Sequence, residues 1–138
     1  MSRLIFFMLV SAIYFVVNEA CKENEIVIKN NLGYSRILQY HCRSGNQNLG
    51  VQHLNANSTK IIKFKDDGTK RSIWKCLFRQ GINMKFYSEA EAYLPILNYP
   101  TIPKYIQCGQ LRVYIARLDA LYLRMDEYPA LPVHLWRS

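Results

Sequence analysis

The stretch LQYHCRSGNQNLGVQHL, from Leu38 to Leu54, decides how the fold is interpreted. Alternation over its first six residues predicts a β-strand that turns Cys42 towards the protein core and His41 to the opposite face. The polar segment SGNQN, from Ser44 to Asn48, is typical of a connecting loop, and LGVQHL predicts a second strand. The stretch therefore predicts two short strands joined by a polar loop.

Similar short strands are predicted along most of the remaining sequence. Alternating apolar and polar residues, with turn sequences between the strands, indicate an all-β fold, either a sandwich or a barrel. The segments concerned are Glu25–Asn30, Thr59–Lys65, Ser72–Arg79, MKFY from Met84, Gln110–Leu118 and Ala120–Met125. Ser88–Tyr105 contains three prolines and is predicted to be irregular, with one helical turn at Glu89–Leu94. The tail from Asp126 to Ser138 is predicted to lie irregularly on the surface.

The N-terminus has the arrangement of a secretory signal peptide. Arg3 precedes an apolar run from Leu4 to Val17, and a short polar stretch ends at Ala20. A run of about 14 residues is short for a membrane span, which needs about 20. We therefore expect residues 1–20 to be a signal peptide and residues 21–138 to form one secreted, extracellular domain. A retained membrane anchor or a buried helix is the alternative.

The cysteines favour disulfide bonds. Four are present, and an even number in a secreted chain is typical of a disulfide framework. The candidates are Cys21, Cys42, Cys76 and Cys108. Alternation places Cys42 and Cys76 towards the core, where a bond across the core between them would close a loop of about 35 residues. Cys108 is an alternative partner for either, and a free buried thiol is the other possibility.

Charge and aromatic residues indicate the surface and the core. The net charge is +8, and the basic residues are densest at Lys60, Lys63, Lys65, Lys70, Arg71 and Lys75. Such a region suits an acidic partner, or it is the solvated outer face of an edge hairpin.

The sequence Asn57-Ser58-Thr59 is an acceptor for N-glycosylation in a predicted turn. The aromatic residues expected in the core are Trp74, Phe78, Phe86, Tyr114 and Tyr122.

The order of motifs resembles the plant self-incompatibility protein S1 family, also called S-protein homologues. The motifs are IVIKNNLG, HCRS followed by LG, KCLF, and LDALYL. The matching residues are Val27, Asn30, Leu32, His41, Cys42, Ser44, Leu49, Gly50, Cys76, Phe78 and residues 119–123. The chain departs from the family pattern in having Cys108 where the family has two late cysteines, which leaves Cys21 as a candidate partner.

The resemblance implies a small secreted antiparallel β-sandwich stabilised by disulfides. It implies a non-enzymatic signalling ligand in self-incompatibility or related cell–cell recognition, bound by a plasma-membrane receptor. We expect no cofactor, no metal, no nucleic acid, no stable membrane insertion and a monomeric state. Binding residues concentrate on loops carried by a rigid scaffold. The receptor-binding candidates are therefore Gly45, Asn46, Gln47, Asn48, Asp66, Asp67 and Tyr99.

Two other functions fit parts of the sequence. His41 and His53 would serve as base and acid in a secreted ribonuclease-like hydrolase, although such a site also needs a group that stabilises the phosphate. Metal binding by His41, Cys42 and His53 is disfavoured because a cysteine in a secreted protein is more often oxidised. A basic, membrane-active defence protein is the second alternative, and its binding to anionic lipid would weaken with salt.

Overall fold

The computed structural model describes residues 22–67, 69–94 and 108–138. The predicted signal peptide, Cys21 and Tyr99 lie outside the described residues. Within these ranges, no helix is both long enough and apolar enough to span a bilayer. The described chain is built from strands, with a short 3-10 helix at Lys70–Ser72 and a tight turn at Ile82–Met84, in which Asn83 has non-helical backbone angles.

The strands form two packed sheets, as the predicted β-sandwich requires. They are β1 (Asn24–Asn30), β2 (Leu38–Arg43), β3 (Asn48–Leu54), β4 (Thr59–Phe64), β5 (Trp74–Gln80), β6 (Phe86–Tyr93), β7 (Leu111–Ala116), β8 (Ala120–Met125) and β9 (Leu131–Leu135). Sheet A has the order β4-β1-β7-β8-β9, and sheet B has the order β3-β2-β5-β6. Every named pair is antiparallel except β1 and β7, which are parallel. Between β1 and β7 the chain passes through β2 and β3 of sheet B, β4 of sheet A, and β5 and β6 of sheet B. β6 ends at the end of the sandwich where β1 begins, so β7 starts there and runs in the same direction as β1.

The main core lies between the sheets. Alternate residues of β1, among them Ile26 and Ile28, are fully buried against Leu38 and Phe78 of sheet B and their neighbours. Phe64 contacts the ring of Trp74, with ring centroids 5.4 Å apart. Aromatic pairs at this distance stabilise a core beyond the area that they bury.

A second, smaller cluster covers the outer face of sheet A. Val27, Val113 and Ile115 are buried there, with Leu111 and Tyr122 packed against them. The parallel pair β1 and β7 is thus apolar on both faces, which is the usual environment of parallel strands. The continuous apolar runs Ile26–Ile28 and Val113–Ala116 follow from this double burial.

Two of the aromatic residues predicted to lie in the main core, Phe86 and Tyr122, lie outside it. Trp74, Phe78 and Tyr114 are buried, but Phe86 is 37% exposed because it begins β6 beyond the edge of the core. Tyr122 lies outside the main core because its neighbours in β8 take the positions that face sheet B, and it packs instead, partly buried, against the smaller cluster on the outer face of sheet A. Its hydroxyl donates a 2.6 Å hydrogen bond to the Asp119 carboxylate.

The predictions for two segments were also wrong. The helical turn expected at Glu89–Leu94 is strand β6, in which Ser88, Ala90 and Ala92 are buried while the residues between them are exposed. The tail expected to be irregular contains β9, which pairs with β8. Pro132 is tolerated in β9 because the strand lies at the edge of sheet A and does not need every ladder donor.

A disulfide bond joins Cys42 and Cys76. The two residues are directly opposite each other on β2 and β5, with their Cα atoms 4.1 Å apart. The bond therefore staples neighbouring strands of sheet B, and the expectation of a bond across the core was wrong. Alternation predicts the face of each cysteine but not which sheet holds its partner. Cys108 is disulfide-bonded as well.

Candidate functional site

The connections between strands fall at two opposite ends of the sandwich. We call the end that carries residues 44–47 and the β4–β5 connection the polar end. We call the end that carries residues 31–37, 81–85 and 117–119 the apolar end. The predicted loop candidates that are described all lie at or beside the polar end, so the structure brings together segments that are distant in the sequence.

Asp67 organises the β4–β5 connection at the polar end. Its Oδ1 accepts hydrogen bonds from the Ser72 hydroxyl (2.6 Å), the Thr69 hydroxyl (2.7 Å) and the Thr69 N–H (2.9 Å). These bonds, that of Ser72 foremost, hold the pKa of the Asp67 carboxyl far below its ordinary value. The connection is therefore held by a permanently charged carboxylate at physiological pH.

The two polar-end loops contact each other directly. The Gly45 N–H donates a 2.9 Å hydrogen bond to the Arg71 carbonyl. A Cβ placed on Gly45 would lie 2.7 Å from the Arg71 Cα, so the backbones meet at a point where a side chain does not fit. Asn46 Nδ2 lies 3.5 Å from Asp67 Oδ2. Residues 44–47 and the β4–β5 connection thus form one surface.

Both loops are also tied to the strands beneath them. The buried Tyr93 donates a 2.6 Å hydrogen bond from its hydroxyl to Asp66 Oδ2. Burial, with the Asp66 carboxylate second, raises the pKa of the Tyr93 hydroxyl, which stays protonated. Asn48 Oδ1 accepts from the Gly50 N–H at 2.9 Å and from His41 Nε2 at 2.7 Å. Asp66, Asp67 and Asn48 therefore hold the surface in shape.

The side chains that the polar end offers to a partner differ from those that fix it. Asn46, Gln47, Lys70 and Arg71 are all exposed. In the described part of the chain, the side chains of Gln47 and Arg71 make no hydrogen bond or ion pair within the protein. The polar end thus presents amide and cationic groups on a fixed backbone.

The apolar end was missed by the sequence analysis. Tyr34 is 86% exposed and Ile82 is 85% exposed, and Ile37 and Phe86 are partly exposed beside them. Residues 35–37, 81–82 and 84–86 line a mostly apolar groove of about 620 Å³. The sequence signal was the presence of large apolar residues inside the turn sequences NNLGYSR and QGINMKF.

The backbone of the apolar end contains left-handed residues. Tyr34 and Ser35 have φ angles of 53° and 55°, and Asn83 and Met84 have φ angles of 55° and 52°. Residues other than glycine and asparagine seldom adopt this region, and such conformations concentrate at functional sites. Both connections that form the apolar groove therefore store strain.

Asn30 holds the apolar end to the sheets. Its buried side chain donates hydrogen bonds to the carbonyls of Arg36 (2.8 Å) and Leu54 (2.9 Å). Its Oδ1 accepts a 3.1 Å hydrogen bond from the Leu32 N–H. One side chain thus satisfies three backbone groups where the chain crosses from sheet A to sheet B.

The two histidines of the alternative hydrolase lie on the same outer face of sheet B. His41 opposes Val51 and Gln39 opposes His53, so the histidines are diagonal neighbours on β2 and β3. The cavity beside His41 has a volume of about 40 Å³ and is lined by Arg43, Lys75, Leu77 and Glu89, but not by His53. This volume admits about one water molecule, whereas substrate pockets measure hundreds of Å³. In the described residues, no group of three or more histidine, cysteine or acidic residues is arranged to hold a metal ion.

The basic region does not form one surface. Lys63 lies on the outer face of sheet A, where its Nζ is 3.9 Å from Glu25 Oε1. Lys75 lies on the outer face of sheet B beside Arg43. Strand alternation therefore distributes these cations over both faces of the sandwich.

The acceptor Asn57 lies in an exposed turn between β3 and β4, on the same end as the apolar loops. Its φ angle of 60° is of the kind that asparagine adopts readily. The Asn57 N–H donates to the Asn30 carbonyl at 2.9 Å, which fixes the turn and leaves the side chain in solvent.

Comparisons with known proteins agree with the fold. The sequence profile of the family "Plant self-incompatibility protein S1" matches residues 25–136. The chain is 67% identical to S-protein homolog 15 of Arabidopsis thaliana over 138 residues, covering all of both chains. It is 40% identical to S-protein homolog 25 of Arabidopsis thaliana over 141 residues, covering 100% of this chain and 99% of that one.

A solved structure is similar too. It belongs to the SPH (Self-Incompatibility Protein Homologue) proteins, described as "a widespread family of small, highly stable, secreted proteins from plants". The sequence identity is 64% and the TM-score is 0.68, and the match covers 86% of this chain and 97% of that chain.

Proposed function

The chain belongs to the plant self-incompatibility protein S1 family, the S-protein homologues, which confirms the resemblance in its motifs, and on this premise we propose that it is a secreted signalling ligand without enzymatic activity. Residues 1–20 direct its export, and the remaining domain acts outside the cell as a monomer. A plasma-membrane receptor recognises it in self-incompatibility or in related cell–cell recognition. It requires no cofactor, nucleic acid or membrane insertion.

The polar end is the surface that meets the receptor in this proposal. The observation that carries it is the hydrogen bond between Gly45 and Arg71, which makes one surface of two loops. A surface fixed before binding loses little conformational entropy when it binds. Asn46, Gln47 and Arg71 supply amide and guanidinium groups, and arginine is prominent among residues that dominate binding energy. Tyr99 stays a predicted contributor.

Binding of the labelled, secreted protein to plant plasma-membrane vesicles tests the proposal. We expect saturable binding that the unlabelled protein displaces. Changing Gln47→Ala together with Arg71→Glu should weaken it about tenfold or more, because both side chains lie in the contact. Lys60→Glu changes the charge equally at an exposed residue near the start of β4, towards the opposite end of the sandwich, and serves as the matched control. Unsaturable binding, or equal loss in both variants, would contradict the proposal.

The same preparation distinguishes the alternative functions. RNA cleavage that disappears in His41→Ala would show a hydrolase and contradict the absence of enzymatic activity. Salt-sensitive dye release from anionic vesicles would show a membrane-active protein. We expect neither, because in the part of the chain that the structure describes His41 and His53 line no common cavity of substrate size and the cations are divided between two faces.

Glycosylation at Asn57 is compatible with receptor binding through the polar end. A glycan there would stand at the apolar end, while the polar end stays open to the receptor. We expect the secreted protein to lose mass when an N-glycosidase removes the glycan, and the Asn57→Gln variant to show no such loss. Asn55→Gln, in the same turn but outside the acceptor sequence, is the control.

A further inference from the structure

Two strand edges meet along one side of the sandwich. β6 is the edge strand of sheet B, and β9 is the edge strand of sheet A. An antiparallel bridge between Tyr87 and Arg137 joins the two sides, with two backbone hydrogen bonds of 2.9 Å each. Beyond the bridge lies a cleft of about 790 Å³, lined by Lys75, residues 87–91 and residues 133–137.

The register of the sheet shows which backbone groups of β6 point into this cleft. The Cys42–Cys76 pair has the short Cα separation of a non-hydrogen-bonded pair, so Cys76 directs its N–H and C=O towards Ala90. The direction of these groups alternates along a strand. Glu89 and Glu91 therefore direct theirs away from β5, as Tyr87 does.

These backbone groups are available for a further strand. From the described residues, the Glu91 carbonyl accepts only a long hydrogen bond of 3.4 Å, from the Tyr114 hydroxyl. Across the cleft, within the described part of the chain, the Glu89 N–H and C=O and the Glu91 N–H have no backbone partner. An unpaired edge of this kind is a template for an added strand.

The side chains around the cleft define what such a strand carries. Glu89 and Glu91 are exposed on the outer face of sheet B, and neither forms an ion pair with another described residue. Lys75 and Arg137 also line the cleft. Lys75 lies opposite Glu91 on the neighbouring strand β5, and Arg137 lies at the end of the cleft that the bridge to Tyr87 closes. The rest of the lining includes Ala90 of β6 and Val133, His134 and Leu135 of β9.

We propose that the cleft binds an extended, basic segment of a partner protein, which adds to β6 as a fifth strand of sheet B. Lysine or arginine residues at alternate positions stand opposite Glu89 and Glu91, because opposite charges on neighbouring strands stabilise the pair. The residues between them are small or apolar and face the β9 side of the cleft, which Val133, His134 and Leu135 line. The main-chain hydrogen bonds supply affinity, and the alternating side chains supply specificity.

A second copy of this chain is the less suitable occupant. Antiparallel pairing of β6 with another β6 would place the carboxylates of Glu89 and Glu91 opposite each other. Like charges directly opposite each other destabilise a strand pair. The same two charges thus guard the edge against self-association and select a basic partner.

The probe for this site is a short blocked peptide of alternating lysine and valine, titrated into the secreted protein. We expect slower hydrogen exchange at the Glu89 and Glu91 amides, and little change at Ser88 and Ala90, whose amides already bond to β5. A peptide with glutamate in place of lysine should not bind. A peptide N-methylated on its pairing face should bind at least tenfold more weakly.

Charge variants supply the matched comparison. Glu89→Gln with Glu91→Gln should weaken the lysine peptide about tenfold through the loss of two cross-strand pairs. Glu23→Gln with Glu127→Gln makes the same change in net charge at exposed sites away from the cleft and should leave the affinity unchanged. Equal weakening in both variants would show general electrostatic attraction and overturn the proposal.

Three other results would overturn it as well. These are absence of binding by the lysine peptide, equal binding by the N-methylated peptide, and protection of Glu89 and Glu91 that rises with protein concentration alone. The last would assign the cleft to a second copy of this chain. If the variant Gln47→Ala with Arg71→Glu lost receptor binding but still bound the lysine peptide, the polar end and the cleft would be shown to bind independently.

Discussion

At the polar end short polar side chains close the loops, whereas at the apolar end the backbone itself is held in left-handed conformations. Asp67 accepts three hydrogen bonds from its own connection, and Gly45 lets a second connection approach closely. Tyr34 and Met84, in contrast, have positive φ angles and stand beside exposed apolar side chains. The first arrangement lowers the free energy of the loops locally, and the second relies on the sandwich to hold strained turns.

This difference bears on recognition. A contact surface closed by its own hydrogen bonds keeps its shape in solution, so its exposed amide and cationic groups are already placed for a partner. An exposed apolar surface favours burial by any complementary apolar surface, and large patches of this kind mark interaction sites. In the proposed function, specificity for the receptor therefore comes from the polar end. Variants at each end test whether the two ends differ in the physical basis of their stability.

The largest effect is expected from Asn30→Ala at the apolar end. The change leaves the Leu32 N–H and two carbonyls without their buried partner, and we expect a loss of about 2 to 3 kcal/mol in the free energy of unfolding. Denaturant unfolding of the variant and of Asn31→Ala measures it. Asn31 is exposed, so its variant should stay within about 0.5 kcal/mol of the unchanged protein. Equal stability of the two variants would show that the hydrogen bonds of the Asn30 side chain do not stabilise the apolar end.

The next effect is expected at the polar end from Gly45→Ala. The added methyl group meets the Arg71 backbone, which has to move, and overpacking of this kind costs about 1 to 3 kcal/mol. Amide NMR shifts should change in residues 69–73 as well as in residues 44–47. Ser44→Ala, which removes a hydroxyl that bonds only within its own loop, is the control. Shifts confined to residues 44–47 in Gly45→Ala would show that the two loops are independent.

The sequence predicted the polar end better than the apolar end for a physical reason. Loops such as SGNQN and DDGT are recognisable because their residues form turns with their own backbone, which is local information. The exposure of Tyr34 and Ile82 depends on where the core stops, which depends on how two sheets stack. Large apolar residues in a turn sequence were therefore assigned no role.

The same distinction explains the errors in the fold. Alternation predicted the faces of Cys42 and Cys76 but not that their strands are neighbours in one sheet. β6 alternates glutamate with serine and alanine, a weak apolar signal that the following prolines outweighed. β9 contains Pro132, which is compatible with a strand only at a sheet edge, and edge positions are properties of the whole fold.

A smaller effect, with the opposite sign, is expected from Met84→Gly at the apolar end. Glycine adopts the left-handed region without the penalty of about 1 to 2 kcal/mol that other residues carry, and part of this gain is lost to the greater entropy of the unfolded chain. We expect a net increase in stability of about 0.5 to 1 kcal/mol. Lys85 has a φ angle of −65°, so Lys85→Gly should lower stability. A loss in both variants would mean that the turn is unstrained.

The smallest effect concerns Asp67, which is exposed, and it distinguishes the ends by pH. The pKa of this carboxyl is depressed in the folded protein from its ordinary value of 3.8, chiefly by the hydrogen bond from Ser72. The unfolded chain therefore binds the proton first, so the stabilisation is fully present above pH 4 or so and is lost progressively as the pH falls towards the lower folded value. Denaturant midpoints measured downwards from pH 6 should fall less steeply in Asp67→Asn than in the unchanged protein. Met84→Gly, which alters only the apolar end, should keep the full acid dependence. If Asp67→Asn kept the full acid dependence as well, the charge of Asp67 would contribute nothing to the stability of the protein. The shape of the polar end would then depend on its hydrogen-bonded geometry alone.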